Sequence, residues 1–344
     1  MLNWSERLMQ ADDGFDTIST SSLTLRDIHE ARERIAPIAR RTPLVYSAAL
    51  SERAGTAVHL KLECLQVTGS FKVRGAANRM LQLTAEEKAR GVVTVSTGNH
   101  GRAVAYVAGR LGIPAVICMS ERVPAGKVEA IRALGAEVVL HGEGYDEAER
   151  HSFRLQRERG LVRIEGFDDP FVIAGQGTIG LELLEDLPGI DTAIVPLSGG
   201  GLISGIALAL KSAGRPVRVI GVSQDRAPVM VHSLRAGRPI ELPEEETLAD
   251  ALAGGIGLAN RCTFRMVQEL VDETVLVTEE EIAAGIVFAF EQHRLVVEGG
   301  GAVGIAALLH GHVSGLGRTV AVVVSGGNIS SGLLCTLLER ASTR

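Results

Sequence analysis

The chain of 344 residues is long enough for about two domains. Its 35 basic and 41 acidic side chains leave a net charge of -6, and only 3% of residues are aromatic, which together argue against a nucleic-acid binder working through a basic face or base-stacking platforms. Glycine is abundant, 40 residues in clusters without a fixed period, which excludes a collagen-like repeat and points to ligand-cradling turns.

In chain order, residues 1–21 hold Asp12, Asp13 and Asp16 and no apolar core, so they read as a loose arm and not as a signal peptide. Strands are expected at 57–62, 92–96, 115–118, 137–140, 192–197, 217–222, 274–277 and 319–325. Helical periodicity runs through 99–112, 125–135, 144–160, 174–186, 201–213, 279–293 and 302–310, and Lys72 opens a further helix. Strand–helix alternation of this kind predicts an α/β fold with mainly parallel sheets and helices on both faces. Segment 91–158 reads as a small mobile domain inserted into a large one made of 22–90 and 159–344. Loops near 121–126 and 225–240 are expected to be mobile and to set side-chain preference.

No stretch reaches about 18 apolar residues, so no transmembrane helix and no membrane partner are expected. Cys64, Cys118, Cys262 and Cys335 are scattered; they fit neither a disulfide framework nor a zinc site and suit a reducing cytoplasm. Arg344 lies shortly after Asn328, and no C-terminal regulatory domain is expected.

In open parallel sheets, ligands bind beyond the carboxyl ends of the strands, where loops lead into helices. Four segments have that grammar: Ser96-Thr97-Gly98-Asn99-His100, Ser198-Gly199-Gly200-Gly201, Gly299-Gly300-Gly301 and Ser325-Gly326-Gly327-Asn328. Gly299, Gly301 and Gly304 match G-x-G-x-x-G, but residues 314–328 contain no Asp or Glu to hold a ribose, so a dinucleotide site fails. No P-loop sequence is present either.

Ser198 to Gly201 reads in two ways: a phosphate cradle of converging N–H groups at a helix start, or a tight turn needing small residues for packing. Ser96 to His100 also reads in two ways, as a carboxylate-binding loop or as a helix cap, for which Ser, Thr and Asn are the usual residues. Lys72 is flanked by Phe71 and by glycines. Desolvation and the positive end of its helix would both depress the pKa of its amine and make it a nucleophile.

Taken together, these segments resemble the fold-type-II pyridoxal-phosphate enzymes (tryptophan synthase β-like), in the branch with threonine/serine dehydratases and serine racemase. The matching runs are SFKVRGA (70–76), STGNHG (96–101), AGQGTIGLE (174–182), SGGGL (198–202), TLADALAGGIGL (247–258), VEGGGAVG (297–304) and SGGN (325–328). They occur in the family's order over nearly the whole chain. The wording of STGNHGRAVAY, VPLSGGGLISG and VVEGGGAVGIAALL is most similar to the hydroxyectoine utilization dehydratases.

The resemblance implies two parallel-sheet domains, pyridoxal 5'-phosphate as cofactor, and a role for each residue. Lys72 would carry the cofactor as an internal aldimine and then act as the base at Cα, with Phe71 packed near the ring. Asn99 would hydrogen-bond the cofactor's 3'-oxygen, Ser198, Gly199, Gly200, Gly201 and Leu202 would cradle the phosphate, and Ser325 would face the pyridine nitrogen. Ser96, Thr97, Gly98 and His100 would surround the substrate carboxylate. The implied reaction is β-elimination from a small 3-hydroxy amino acid, giving a 2-oxo acid and ammonia, in a cytoplasmic homodimer or higher homo-oligomer. A racemase, a β-replacement synthase and a non-enzymatic cofactor sensor are the competing functions.

Three positions depart from the family pattern. Ser198 stands where a fourth glycine is common, and Thr97 stands where racemases usually carry serine. Ser223 stands where metal-binding members place a glutamate, so no metal site is expected.

Overall fold

The computed structural model describes residues 23–343, so the arm expected over 1–21 lies outside the described residues. Among the described residues, ten strands form two sheets. The first contains β1 (Leu44–Tyr46), β2 (Ala57–Leu62), β7 (Thr192–Pro196), β8 (Arg218–Gln224), β9 (Glu273–Val277) and β10 (Thr319–Val324), in the order β1-β2-β10-β7-β8-β9. The second contains β3 (Val92–Val95), β4 (Ala115–Met119), β5 (Glu137–Leu140) and β6 (Val162–Arg163), in the order β5-β4-β3-β6. Every pairing is parallel except that of β1 with β2, where Val45 faces Leu60 antiparallel at the sheet's edge.

Side-chain alternation explains why both faces of the first sheet are covered. On β10, Val320, Val322 and Val324 face a core with Ile282 and Ile286 from helix Glu279–His293 and Val303 from helix Gly299–Leu309. Ala321 and Val323 face the opposite core, with Ile179 and Leu183 from helix Pro170–Asp186 and Ile203 and Ile206 from helix Gly201–Lys211. The second sheet repeats the arrangement. Val92, Ile117 and Met119 meet helices Lys72–Leu81 and Asn99–Leu111, whereas Val93, Val95 and Cys118 meet Ala148 and Leu155 of helix Tyr145–Arg159.

Two expectations need correction. The second sheet extends past 158, because β6 completes its edge. A two-residue strand carries no alternation for a pattern to reveal. Residues 225–240 are not one loop: Val229–Ala236 is helical, and Val229, Met230, Val231 and Ser233 are buried. No helix among the described residues is long and apolar enough to cross a membrane.

Behind helix Lys72–Leu81 lies a buried charge cluster. Arg74 binds Glu63 through Nε and Nη2 at 2.9 and 2.8 Å and Glu182 through Nη1 and Nη2 at 2.6 and 2.9 Å. Lys61 Nζ reaches Glu182 at 2.6 Å from the far side and donates to the Thr42 carbonyl at 2.7 Å. Two cations facing two carboxylates leave no net buried charge, and the fork on Arg74 pins the helix just behind Lys72.

Candidate active site

The carboxyl ends of β3, β7 and β10 open onto one cleft of about 930 Å³. Its lining includes Phe71 and Lys72, the loop Ser96 to His100, the run Ser198 to Leu202, and Ser325. The structure thus brings together every site residue singled out from the sequence.

Local geometry explains how each arrives there. Gly69, at φ +76°, lets the chain turn so that Ser70 pairs with Gly326 and the Phe71 N–H donates to the Ser325 carbonyl at 3.1 Å. Lys72 follows as the first residue of its helix, and its Nζ donates to the Gly166 carbonyl at 2.7 Å, 5.3 Å from the centre of the Phe71 ring. Desolvation pulls the Lys72 amine down to about 8, with the Glu298 charge opposing. His100 is buried, with Nε2 at 2.9 Å from the Ile164 carbonyl; burial and then the Lys72 charge hold it down at about 3, so it is neutral.

The glycine run opens helix Gly201–Lys211 with no side-chain cap. Gly200 sits at φ +88° with Met230, Thr263 and Val267 close by. A Cβ on Gly201 would lie 2.9 Å from both Cα and the carbonyl oxygen of Phe167. Free N–H groups of a first helical turn, in a place too tight for side chains, form a ready cradle for an anion. The phosphate reading of this run therefore fits its geometry, and the close packing that motivated the turn reading is present as well.

Several residues of the site were given no role by the sequence. Glu298, 5% exposed, is the N-cap position of helix Gly299–Leu309 and accepts from Asn99 Nδ2 at 2.6 Å. Burial pushes its carboxyl up to about 7. Asn328 Nδ2 donates to Asn99 Oδ1 at 2.5 Å, and Arg102 Nη1 donates to Asn328 Oδ1 at 2.9 Å. Asp168 accepts from the N–H groups of Arg261, Cys262 and Thr263 at 2.7, 2.9 and 2.9 Å, fixing the start of helix Thr263–Leu270 beside the cradle. An acidic residue immediately before a glycine run was the available signal for Glu298; the tertiary partners of the other residues leave no mark in the local sequence.

The donor set suits a phosphorylated carbonyl cofactor: an uncapped glycine-rich helix start for the phosphate, a depressed amine for the carbonyl, and an amide and a hydroxyl on the same cleft. The profile of the family described as "Pyridoxal-phosphate dependent enzyme" matches residues 35–326. The chain belongs to this family. It is 52% identical over 313 residues to a putative threonine dehydratase of Sinorhizobium fredii, covering 91% of this chain and 94% of that one. It is 46% identical to an L-threonine ammonia-lyase of Thermotoga maritima, covering 92% of this chain and 79% of the relative. The solved structure of maize serine racemase superposes with a TM-score of 0.87 at 38% identity, covering 93% of this chain and 98% of that one. Pyridoxal phosphate is the cofactor of this fold-type-II enzyme, and when bound it supplies an electron sink for a carbanion at Cα.

Proposed function

We propose that the chain is a hydroxy-amino-acid dehydratase, an ammonia-lyase that converts a small 3-hydroxy amino acid to a 2-oxo acid and ammonia. The observation that carries this reading is the meeting of the depressed Lys72 amine, the uncapped glycine cradle and the hydroxyl-rich loop Ser96 to His100 in one cleft. In this reading Ser198, Gly199, Gly200, Gly201 and Leu202 would hold the phosphate, Phe71 would pack near the ring, Ser325 would face the pyridine nitrogen, and Asn99 would donate to the ring oxygen. Ser96, Thr97, Gly98 and His100 receive the substrate carboxylate at the start of helix Asn99–Leu111. Lys72 Nζ would take the Cα proton and pass it to the departing β-hydroxyl, which leaves as water, and hydrolysis of the released enamine gives the 2-oxo acid and ammonia. A neutral His100 adds no charge beside the amine that must accept that proton.

Threonine or serine is the default substrate, as the names of the relatives suggest. The finer wording of the sequence favours 3-hydroxy-2,4-diaminobutyrate in hydroxyectoine catabolism. Its side-chain ammonium would find Asp146, Glu149 and Glu165 on the cleft wall, with Arg163 paired to Glu149 and Glu165 at 2.9 and 2.8 Å. The scattered free cysteines accord with a reducing cytoplasm, and a homodimer or higher assembly belongs to the same reading.

The unit carrying the second sheet, 91–158 with β6, would close over substrate, because it bears the carboxylate loop while the phosphate cradle belongs to the unit of the first sheet. Lys127 and Asp250 already meet at 3.3 Å between the two units. Thr97→Ala tests this, since closure driven by carboxylate capture predicts a raised KM together with a lowered kcat at unchanged cofactor absorbance. A raised KM with unchanged kcat would mean uniform binding and no closure. Production of a D-amino acid without ammonia would move the assignment to a racemase.

A further inference from the structure

Asn99 is held at both ends of its amide. Its Oδ1 accepts from Asn328 Nδ2, and its Nδ2 donates to Glu298. Asn328 is fixed in turn: its Oδ1 accepts from Arg102, and its Nδ2 also donates to the Thr68 carbonyl at 3.0 Å. An arginine can only donate, and a carbonyl or a carboxylate can only accept. The row Arg102, Asn328, Asn99, Glu298 therefore has one polarity. Turning the Asn99 amide over would set two NH₂ groups against each other and an amide oxygen against a carboxylate. With this polarity one Asn99 hydrogen is used by Glu298 and the second has no protein acceptor among the described residues, in a side chain that lines the cleft.

We propose that Glu298 is a positioning residue for Asn99: its carboxylate fixes which face of the amide is presented to the cofactor and leaves the remaining N–H as the donor to the cofactor's ring oxygen. This rests on the family cofactor and not on the choice of substrate. A carboxylate is acceptor-only, whereas a carboxylic acid can donate, so protonation of Glu298 removes one of the two constraints on Asn99. Charged and titratable groups reach Glu298 from every side: Lys72 from its helix, Asp250 from the turn Asp250–Leu252, Lys127 from helix Ala125–Arg132, and Cys64 from the turn Glu63–Leu65. Arg102 reaches it only through two amides. Burial places the Glu298 carboxyl near neutrality, so the constraint weakens as the pH falls through about 7.

The test is the visible absorbance of the holoenzyme as a function of pH, at saturating cofactor and without substrate. Wild type should show a spectral step with a midpoint near 7. Glu298→Gln should lose the step and Glu298→Asp should retain one. Asn99→Ala, which leaves Glu298 free to titrate, should lose it too, and the double variant Asn99→Ala/Glu298→Gln should look like either single variant. A step that survives in Glu298→Gln would overturn the role of Glu298. A step that survives in Asn99→Ala would show that Glu298 acts on the cofactor directly through its charge, which overturns positioning. Should Glu298→Gln not fold, Glu298→Asp and Asn99→Ala still decide the matter: a step kept in the first and lost in the second supports the proposal, and any other combination overturns it.

Discussion

Replacing Gly201 by alanine separates the cradle's chemistry from its packing. The new Cβ would lie 2.9 Å from the Phe167 Cα and carbonyl oxygen and 3.0 Å from the Phe167 Cβ, so backbone must move. Overpacking of this kind costs about 1–3 kcal/mol, partly offset by the gain of about 1 kcal/mol for alanine over glycine in a helix. The fold should survive. The displaced segment, however, contains Gly166, whose carbonyl holds Lys72 Nζ, and Asp168, which fixes the neighbouring helix. Losing one charge-assisted hydrogen bond to the phosphate would cost about 1.5–3 kcal/mol, or roughly 10- to 150-fold in cofactor affinity. Titrating the apoenzyme with pyridoxal phosphate, followed by visible absorbance, measures this against Gly126→Ala, whose Cβ would meet nothing within 4 Å. Cofactor binding by Gly201→Ala within about twofold of wild type, against the loss expected for a displaced anion cradle, would refute the reasoning.

Lys72 should capture cofactor faster as the pH rises through about 8, because its amine, depressed by burial, reacts only when neutral. At pH 7 about 9% of such an amine is neutral, against about 0.03% for an ordinary lysine at 10.5, roughly 300-fold more. The capture rate of apoenzyme against pH checks this, and Lys72→Ala should lose the covalent link. Arg74→Met should destabilise the fold by about 3–5 kcal/mol in a denaturant titration, because it leaves Glu63 and Glu182 buried with one cation fewer. A loss below about 1 kcal/mol would show that Lys61 and water suffice to neutralise them.

The fold was legible where elements are long and periodic. Strand β2 and helix Glu279–His293 fall on the residues expected, because apolar alternation and an amphipathic stripe persist over their length. Strand β1, only three residues between Pro43 and the Ser47 cap, and strand β6, only two, are held by their neighbours and show no pattern of their own. The site was legible through its glycines and Lys72, whose residue types are dictated by backbone geometry and chemistry. Glu298 escaped because its importance lies in burial and in Asn99 at the start of helix Asn99–Leu111, neither of which a linear sequence displays. Likewise the loop Gly166 to Asp168 carries no motif of its own. Its carbonyl, ring and carboxylate gain their roles only when Lys72, the cradle and helix Thr263–Leu270 fold against them.

The central claim, elimination from a 3-hydroxy amino acid, is tested most directly by one assay. Holoenzyme is offered serine, threonine, 3-hydroxyaspartate and 3-hydroxy-2,4-diaminobutyrate, and 2-oxo acid and ammonia are quantified together. Equal amounts of the two products from at least one substrate, absent in Lys72→Ala, are the predicted result. Deuterium exchange at Cα or D-amino acid formation without ammonia, from all four, would contradict it.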